Sequence, residues 1–214
     1  MSTLIKAAEI EENGGPDKII WKEFNLESLL PGQVTIEHKF VGLNFIDTYH
    51  RSGLYPLTLP SRLGMEASGV VVNKSSDVDS FEVGDRVAYV MALGSYSTHR
   101  NIESDKIVKI PDSISNEQAA AALLKGMTVE YLIERLFKVN NSHTVLLHAA
   151  AGGVGIIACQ WLKTLGAKII GTVGSEEKAT LAKENGCDEV ILYNNEDFVN
   201  RVKDITKNKG VDVV

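Results

Sequence analysis

The stretch Thr144-Val145-Leu146-Leu147-His148-Ala149-Ala150-Ala151-Gly152-Gly153-Val154-Gly155 constrains this chain more than any other. An apolar run of strand length passes straight into small residues and then into a helical pattern. Val154, Ile157, Ala158, Trp161, Leu162 and Leu165 share one face of that helix, as a helix packed on a sheet requires. Ala150, Gly152 and Gly155 stand at the three small-residue places of a dinucleotide-binding turn, with alanine at the first. Small side chains there allow a tight bend, a close approach of backbone to a pyrophosphate and close helix–strand packing. The helix start adds unpaired N–H groups and a partial positive charge. Taken alone, the turn equally suits a structural bend or a methyl-donor site.

The residues after the turn narrow the choice. Strand patterns over 144–149, 168–173, 189–192 and 211–214 alternate with helical ones over 153–165, 176–185 and 196–207. Each parallel crossover needs a helix to carry the chain back, so this beat predicts a parallel sheet covered by helices. With a second β-α unit directly behind it, the turn reads as a dinucleotide site. The tip of the second strand, Thr172-Val173-Gly174-Ser175-Glu176-Glu177-Lys178, decides which dinucleotide. An acid there would accept from a ribose 2′-OH and repel a 2′-phosphate. Glycine and serine fill the position and Lys178 comes after them, so NADPH is expected. Glu176 and Glu177 pull the other way unless they serve the helix dipole.

Before residue 111 the texture differs: short apolar runs over 33–41, 68–72, 86–90 and 106–110 are parted by Asn13-Gly14-Gly15-Pro16, Pro31-Gly32 and Val83-Gly84-Asp85. A β-rich unit is expected, with a long functional loop over 44–62. Ser115-Asn116-Glu117-Gln118 fits a capping box ahead of a helix over 118–124, and a second helix is expected over 128–137. Two domains are therefore expected, 1–124 and 125–214. The net charge of −6, with no basic run, argues against nucleic acid. No signal pattern or run of about 18 apolar residues is visible, so a cytosolic protein is expected. Cys159 and Cys187, the two cysteines, read as reduced thiols.

Six segments carry a resemblance: Asn44-Phe-Ile-Asp-Thr-Tyr49-His-Arg-Ser-Gly-Leu-Tyr55-Pro56, Leu63-Gly-Met-Glu-Ala-Ser-Gly69, Gly84-Asp-Arg-Val87, Leu124-Lys-Gly-Met-Thr-Val129, His148 to Gly155 and Gly171-Thr-Val-Gly174. On them the chain resembles the zeta-crystallin-like quinone oxidoreductases of the zinc-independent medium-chain dehydrogenase/reductase superfamily. The resemblance implies an α/β architecture in which a GroES-like β domain precedes a Rossmann doubly wound sheet, with NADPH in the cleft between them and a homodimer as the assembly. Zinc-dependent members carry a histidine in a Gly-His-Glu motif. Here the motif is Gly64-Met65-Glu66, no cysteine precedes Cys159, and His38, His50, His99, His143 and His148 have no metal-ligand spacing and read as surface or strand-end residues.

Carried across residue by residue, the resemblance implies that Asn44, Phe45, Ile46, Asp47, Thr48 and Tyr49 approach the cofactor, with Thr128 and Tyr131 in support. Gly152, Gly153, Val154 and Gly155 fall at the pyrophosphate, Gly174, Ser175, Glu176, Glu177 and Lys178 around the adenosine ribose and its phosphate, and Tyr193 near adenine. Core packing accounts equally well for Tyr131 and Tyr193, and turn formation for Asn44 and Asp47. The expected reaction is hydride transfer to a quinone, with Tyr49 or Tyr55 donating to the developing oxyanion or merely lining the cleft. The chain ends within the expected fourth strand, so it reads as truncated and possession of activity by this stretch alone is not expected. Reduction of activated double bonds, a non-enzymatic nucleotide- or RNA-binding crystallin-like role, and methyl transfer are the competing readings.

Overall fold

A computed structural model describes residues 3–214, which divide into two compact units between Leu124 and Lys125. In the first unit, β1 (Leu4–Ile10) pairs antiparallel with β2 (Ile20–Asn25) and with the short β4 (Ser61–Arg62). The larger sheet is antiparallel, with β3 (Gln33–Val41) and β5 (Glu66–Lys74) at its centre. Its outer strands are β6 (Arg86–Val90), β7 (His99–Glu103) and β8 (Ile107–Lys109), in the order β7-β3-β5-β6-β8. Alternate residues of these strands point inward, as the two-residue period dictates. Val34, Ile36, Val71, Val87, Tyr89 and Ile102 thereby form a buried core. Each full burial of such a side chain is worth about 1.5–3 kcal/mol. Where β3 and β5 run closest, a side chain on Gly69 would overlap the Glu37 carbonyl oxygen, so glycine is required.

The expected loop over 44–62 contains a helix, α1 (Phe45–Ser52). Its start is secured by side chains that sequence periodicity does not reveal: the Asn44 N–H donates to Asp47 Oδ2 at 2.9 Å. Gly53, at φ 82°, ends it. The two helices expected over 118–124 and 128–137 are instead one, α2 (Asn116–Glu130), running on into a π turn over Tyr131–Leu136. Gly126 does not break it, since a single glycine costs a helix only about 1 kcal/mol. The capping box at the start is present, Ser115 N–H donating to Gln118 Oε1 and Gln118 N–H to Ser115 Oγ.

In the second unit, β9 (Thr144–His148), β10 (Lys168–Val173) and β11 (Glu189–Leu192) are parallel, in the order β11-β10-β9. Helices α3 (Gly153–Thr164) and α4 (Glu176–Glu184) cover one face around Ala158, Leu162, Ile169 and Ala182. The next helix, α5 (Phe198–Thr206), covers the other, where Val202 meets Leu146, Ile170 and Ile191. The expected fourth strand over 211–214 is reduced to a parallel bridge from Val213 to Val145, on the side of β9 away from β10. The sheet is therefore doubly wound, and its winding reverses beside β9. Open α/β sheets bind ligands at that reversal, outside the carboxyl end of the strand.

Candidate functional site

The glycine turn sits at the carboxyl end of β9. Ala149 adopts φ 52°, turning the chain sharply out of the strand, and its carbonyl accepts from the Gly152 N–H at 2.8 Å. A side chain on Gly155 would overlap that same carbonyl oxygen and the Ala150 backbone, so the third glycine is what lets helix and turn close on each other. Gly171 of β10 is needed for the same reason, since a Cβ there would lie 2.7 Å from both Ala150 Cβ and Cys187 Sγ. Ile156 N–H makes the first bond back into α3, to Gly152 O, and no side chain caps the helix. The N–H groups of Gly153, Val154 and Gly155 precede that bond and have no partner within the helix. Gly153 is exposed, and Val154 is half-buried. The result is a backbone anion cradle.

The tip of β10 lies beside this cradle. Ser175 caps α4 by accepting from the Lys178 N–H at 3.3 Å, so its hydroxyl is occupied by the helix. Glu176 and Glu177 occupy the first turn, where they suit the helix dipole, and Lys178 is exposed without a carboxylate partner among the described residues. The Tyr193 ring lies over Gly174, its hydroxyl 2.7 Å from where a Cβ would be, and Asn194 Nδ2 donates to Gly174 O at 2.8 Å. The Lys125 stem packs against Gly153, about 3 Å from its missing Cβ, which brings a cation that sequence reasoning overlooked to the cradle's edge. Thr128 is half-buried and Tyr131 half-exposed, on the same helix and its π turn. His148 ends β9 and pairs its Nδ1 with Thr172 Oγ1 at 2.9 Å.

In the first unit, Asn44 and Asp47 are buried while Phe45 is 74% exposed. Asn44 Nδ2 donates to Glu66 Oε2 at 2.8 Å, and the other oxygen of that fully buried carboxylate accepts from the Leu124 N–H at 2.7 Å. Tyr96 donates its hydroxyl to Asp47 Oδ2 at 2.8 Å; burial first, and then this carboxylate, push the Tyr96 phenol above its ordinary range. Thr48 Oγ1 donates to Phe45 O, and Ile46 is half-buried. Phe45, Tyr49 and Tyr55 form an aromatic row with centroid spacings of 5.3 and 5.1 Å, open to solvent along Phe45 and Tyr55. Glu66 and Tyr96 were missed as partners. An acid inside the apolar run over 65–71 was the available signal.

Two of the five histidines depart from the surface or strand-end reading. His50 is buried on α1, and its Nδ1 and Asp47 Oδ1, one helical turn apart, both lack hydrogen-bond partners among the described residues. His38 lies inside the β unit between Ser97 O and the Tyr89 hydroxyl, at 2.7 and 2.9 Å. Burial holds its imidazole down at about 4 and pushes the Tyr89 phenol up to about 12. Among the described residues no three His, Cys, Asp or Glu side chains gather as a metal site. The donor set at Gly64-Met65-Glu66 does not fit zinc: Met65 offers a buried thioether, and both Glu66 oxygens hold the hydrogen bonds above.

Two family profiles match, an alcohol dehydrogenase GroES-like domain over residues 30–112 and a zinc-binding dehydrogenase over residues 153–214. A quinone oxidoreductase of Salmonella typhimurium is 50% identical over 208 residues, covering 96% of this chain and 64% of the relative. A 2-haloacrylate reductase of Burkholderia sp is 43% identical, covering 99% and 66%. The crystal structure of an Escherichia coli quinone oxidoreductase complexed with NADPH superposes with a TM-score of 0.95 at 49% identity, covering 98% of this chain and 65% of that one. The chain thus spans about 64% of the length of the curated Salmonella relative.

Proposed function

Because the chain belongs to the medium-chain dehydrogenase/reductase superfamily, in its quinone oxidoreductase branch, we propose that its protein binds NADPH and reduces a quinone or a similar electrophile without a metal. The observation that carries this reading is the uncapped start of α3, three backbone donors closed onto the strand by Gly155. The relative whose structure holds NADPH supports the choice of ligand. Gly152, Gly153, Val154 and Gly155 hold the diphosphate, with the Lys125 ammonium beside it. Gly174, Ser175, Glu176, Glu177 and Lys178 lie around the ribose and its 2′-phosphate, and Tyr193 lies along the adenine.

Asn44 through Tyr49, with Thr128 and Tyr131, orient the nicotinamide half. When bound, the nicotinamide supplies the hydride. The chain's own part is to hold the acceptor flat along Phe45, Tyr49 and Tyr55, keep water off it, and place the Tyr49 or Tyr55 hydroxyl where negative charge develops. Glu66 accepts from the Asn44 amide nitrogen and so fixes that side chain in place. A homodimer in the cytosol is what the resemblance implies. Among the described residues no helix is long and apolar enough to cross a membrane.

A second reading, reduction of an activated carbon–carbon double bond, is favoured by the 2-haloacrylate reductase relative. Titration of this chain with NADPH and NADH tests the cofactor: NADPH is expected to bind at least about tenfold tighter, and equal affinities would remove the 2′-phosphate assignment. Following NADPH oxidation by the full-length gene product against a benzoquinone and a 2-haloacrylate separates the two acceptors. Turnover of neither dismisses both.

A further inference from the structure

Away from the features above, the first unit contains a small cavity of about 100 Å³ between the end of β4, the start of β7 and the residues just after β2. Leu26 and Leu93 form apolar walls, Glu27 lies at the rim, and Arg62 and Arg100 both reach in. The Arg62 stem and the Arg100 guanidinium flank one point: a Cβ on Gly94 would stand 3.6 Å from Arg62 Cβ, 3.9 Å from Arg62 Cδ and 4.0 Å from Arg100 Nη1. Gly94, at φ 106°, keeps that space open.

Neither guanidinium has a carboxylate within ion-pair distance among the described residues, although both line the same cavity. Among the described residues the Arg62 side chain donates no hydrogen bond, and its guanidinium is held over the Phe24 ring, 4.5 Å from its centroid. Arg100 is fixed by Ala92 O at 2.9 Å, by Asn101 O, to which its Nε donates at 3.4 Å, and by the Tyr89 ring and hydroxyl, which among the described residues leaves its Nη2 unspent. Asn101 is no competitor for a ligand, since its amide already bonds Thr35 Oγ1 and Glu27 O. Two pre-positioned planar cations with spare donors, around a volume the size of one tetrahedral anion, are what oxyanion recognition requires.

We propose that the Arg62–Arg100 cavity is a binding site for a phosphate group, separate from the glycine turn. The two guanidiniums donate to its oxygens, and Glu27 at the rim opposes it and keeps affinity modest. The site does not depend on the functional reading above.

The test is an amide and arginine side-chain NMR titration of this chain, saturated with NADPH to occupy the glycine turn, using inorganic phosphate, glycerol 3-phosphate and, as the control, chloride at matched ionic strength. Saturable shifts at Gly94 and Arg100 Nε with phosphate and not chloride are expected. Arg62→Gln should weaken them at least about tenfold, and Glu27→Gln should tighten them about twofold. Binding of inorganic phosphate alone identifies the free ion as the ligand, and binding of both identifies a phosphomonoester; either supports the site. Absence of saturation, an equal response to chloride, an unchanged affinity in Arg62→Gln, or weaker binding in Glu27→Gln overturns it.

Discussion

The glycine turn and the α1 segment use polar groups in opposite ways. At the turn, the backbone does the presenting: three N–H groups have no partner within the helix, no side chain caps them, and side chains contribute by being absent. Around α1, polar side chains are spent on one another, Asn44 on Glu66, Asp47 on Tyr96 and on the Asn44 N–H. The first arrangement needs only the right residue sizes in the right order. The second needs partners 22 and 49 residues away in sequence, Glu66 and Tyr96. A backbone site tolerates change in everything but its small residues, whereas a side-chain network fails at any member.

The sharpest way to break this contrast is Glu66→Leu. It strands the Asn44 amide and the Leu124 N–H in the interior, and we expect a loss of about 4 kcal/mol in urea unfolding of the first unit. The glycine turn should keep its affinity for pyrophosphate, measured by calorimetry, while NADPH weakens through the nicotinamide half that Asn44 orients. Loss of pyrophosphate binding in a variant whose second unit stays folded would mean the two regions are not separable.

Acid should distinguish the regions next. His38 is folded with its imidazole held near 4, below the ordinary 6.5, by burial. The unfolded chain therefore binds the extra proton between those values. The contribution is complete above about pH 6.5 and is lost as pH falls toward 4, by about 3 kcal/mol. His38→Gln should flatten that limb of the stability curve, as followed by denaturant midpoints from pH 7 downward. An unaltered limb would assign it to the carboxylates.

At the turn, Gly155→Ala drives a methyl group into the Ala149 carbonyl oxygen and should weaken NADPH about a hundredfold. Gly153→Ala meets only the flexible Lys125 stem and should cost less than about threefold. Similar losses in both would show that shape, not close approach, governs the cradle. An effect smaller than that of Gly155→Ala is expected from Lys178→Glu, about tenfold against NADPH with NADH little changed, by paired fluorescence titrations.

The same contrast explains what the sequence made legible. The parallel sheet, its first three strands, the helix face of α3 and the shape of the glycine turn can be read from period, strand length and glycine placement, all of them local. The α1 helix escaped because its polar residues look like a loop until Tyr96 and Glu66 are brought against them. The edge strand β2, largely solvent-exposed, has no buried alternation to betray it. Merging two expected helices into α2 required knowing that Gly126 has open space beside it, and the reduced fourth strand that only Val213 would meet Val145. His38 and His50 were placed outside because a lone histidine carries no sign of the hydroxyl or core that surrounds it.

Gly155 has one more effect, on time rather than shape. By packing the first turn of α3 directly onto Ala149 and Ala150, it joins a surface loop to a strand whose both faces are covered. Opening the phosphate loop then means lifting α3 from the sheet, a collective event with the free energy of the core rather than of a fraying connection. The cradle waits in its binding shape between ligands, and encounter needs no prior ordering of the loop.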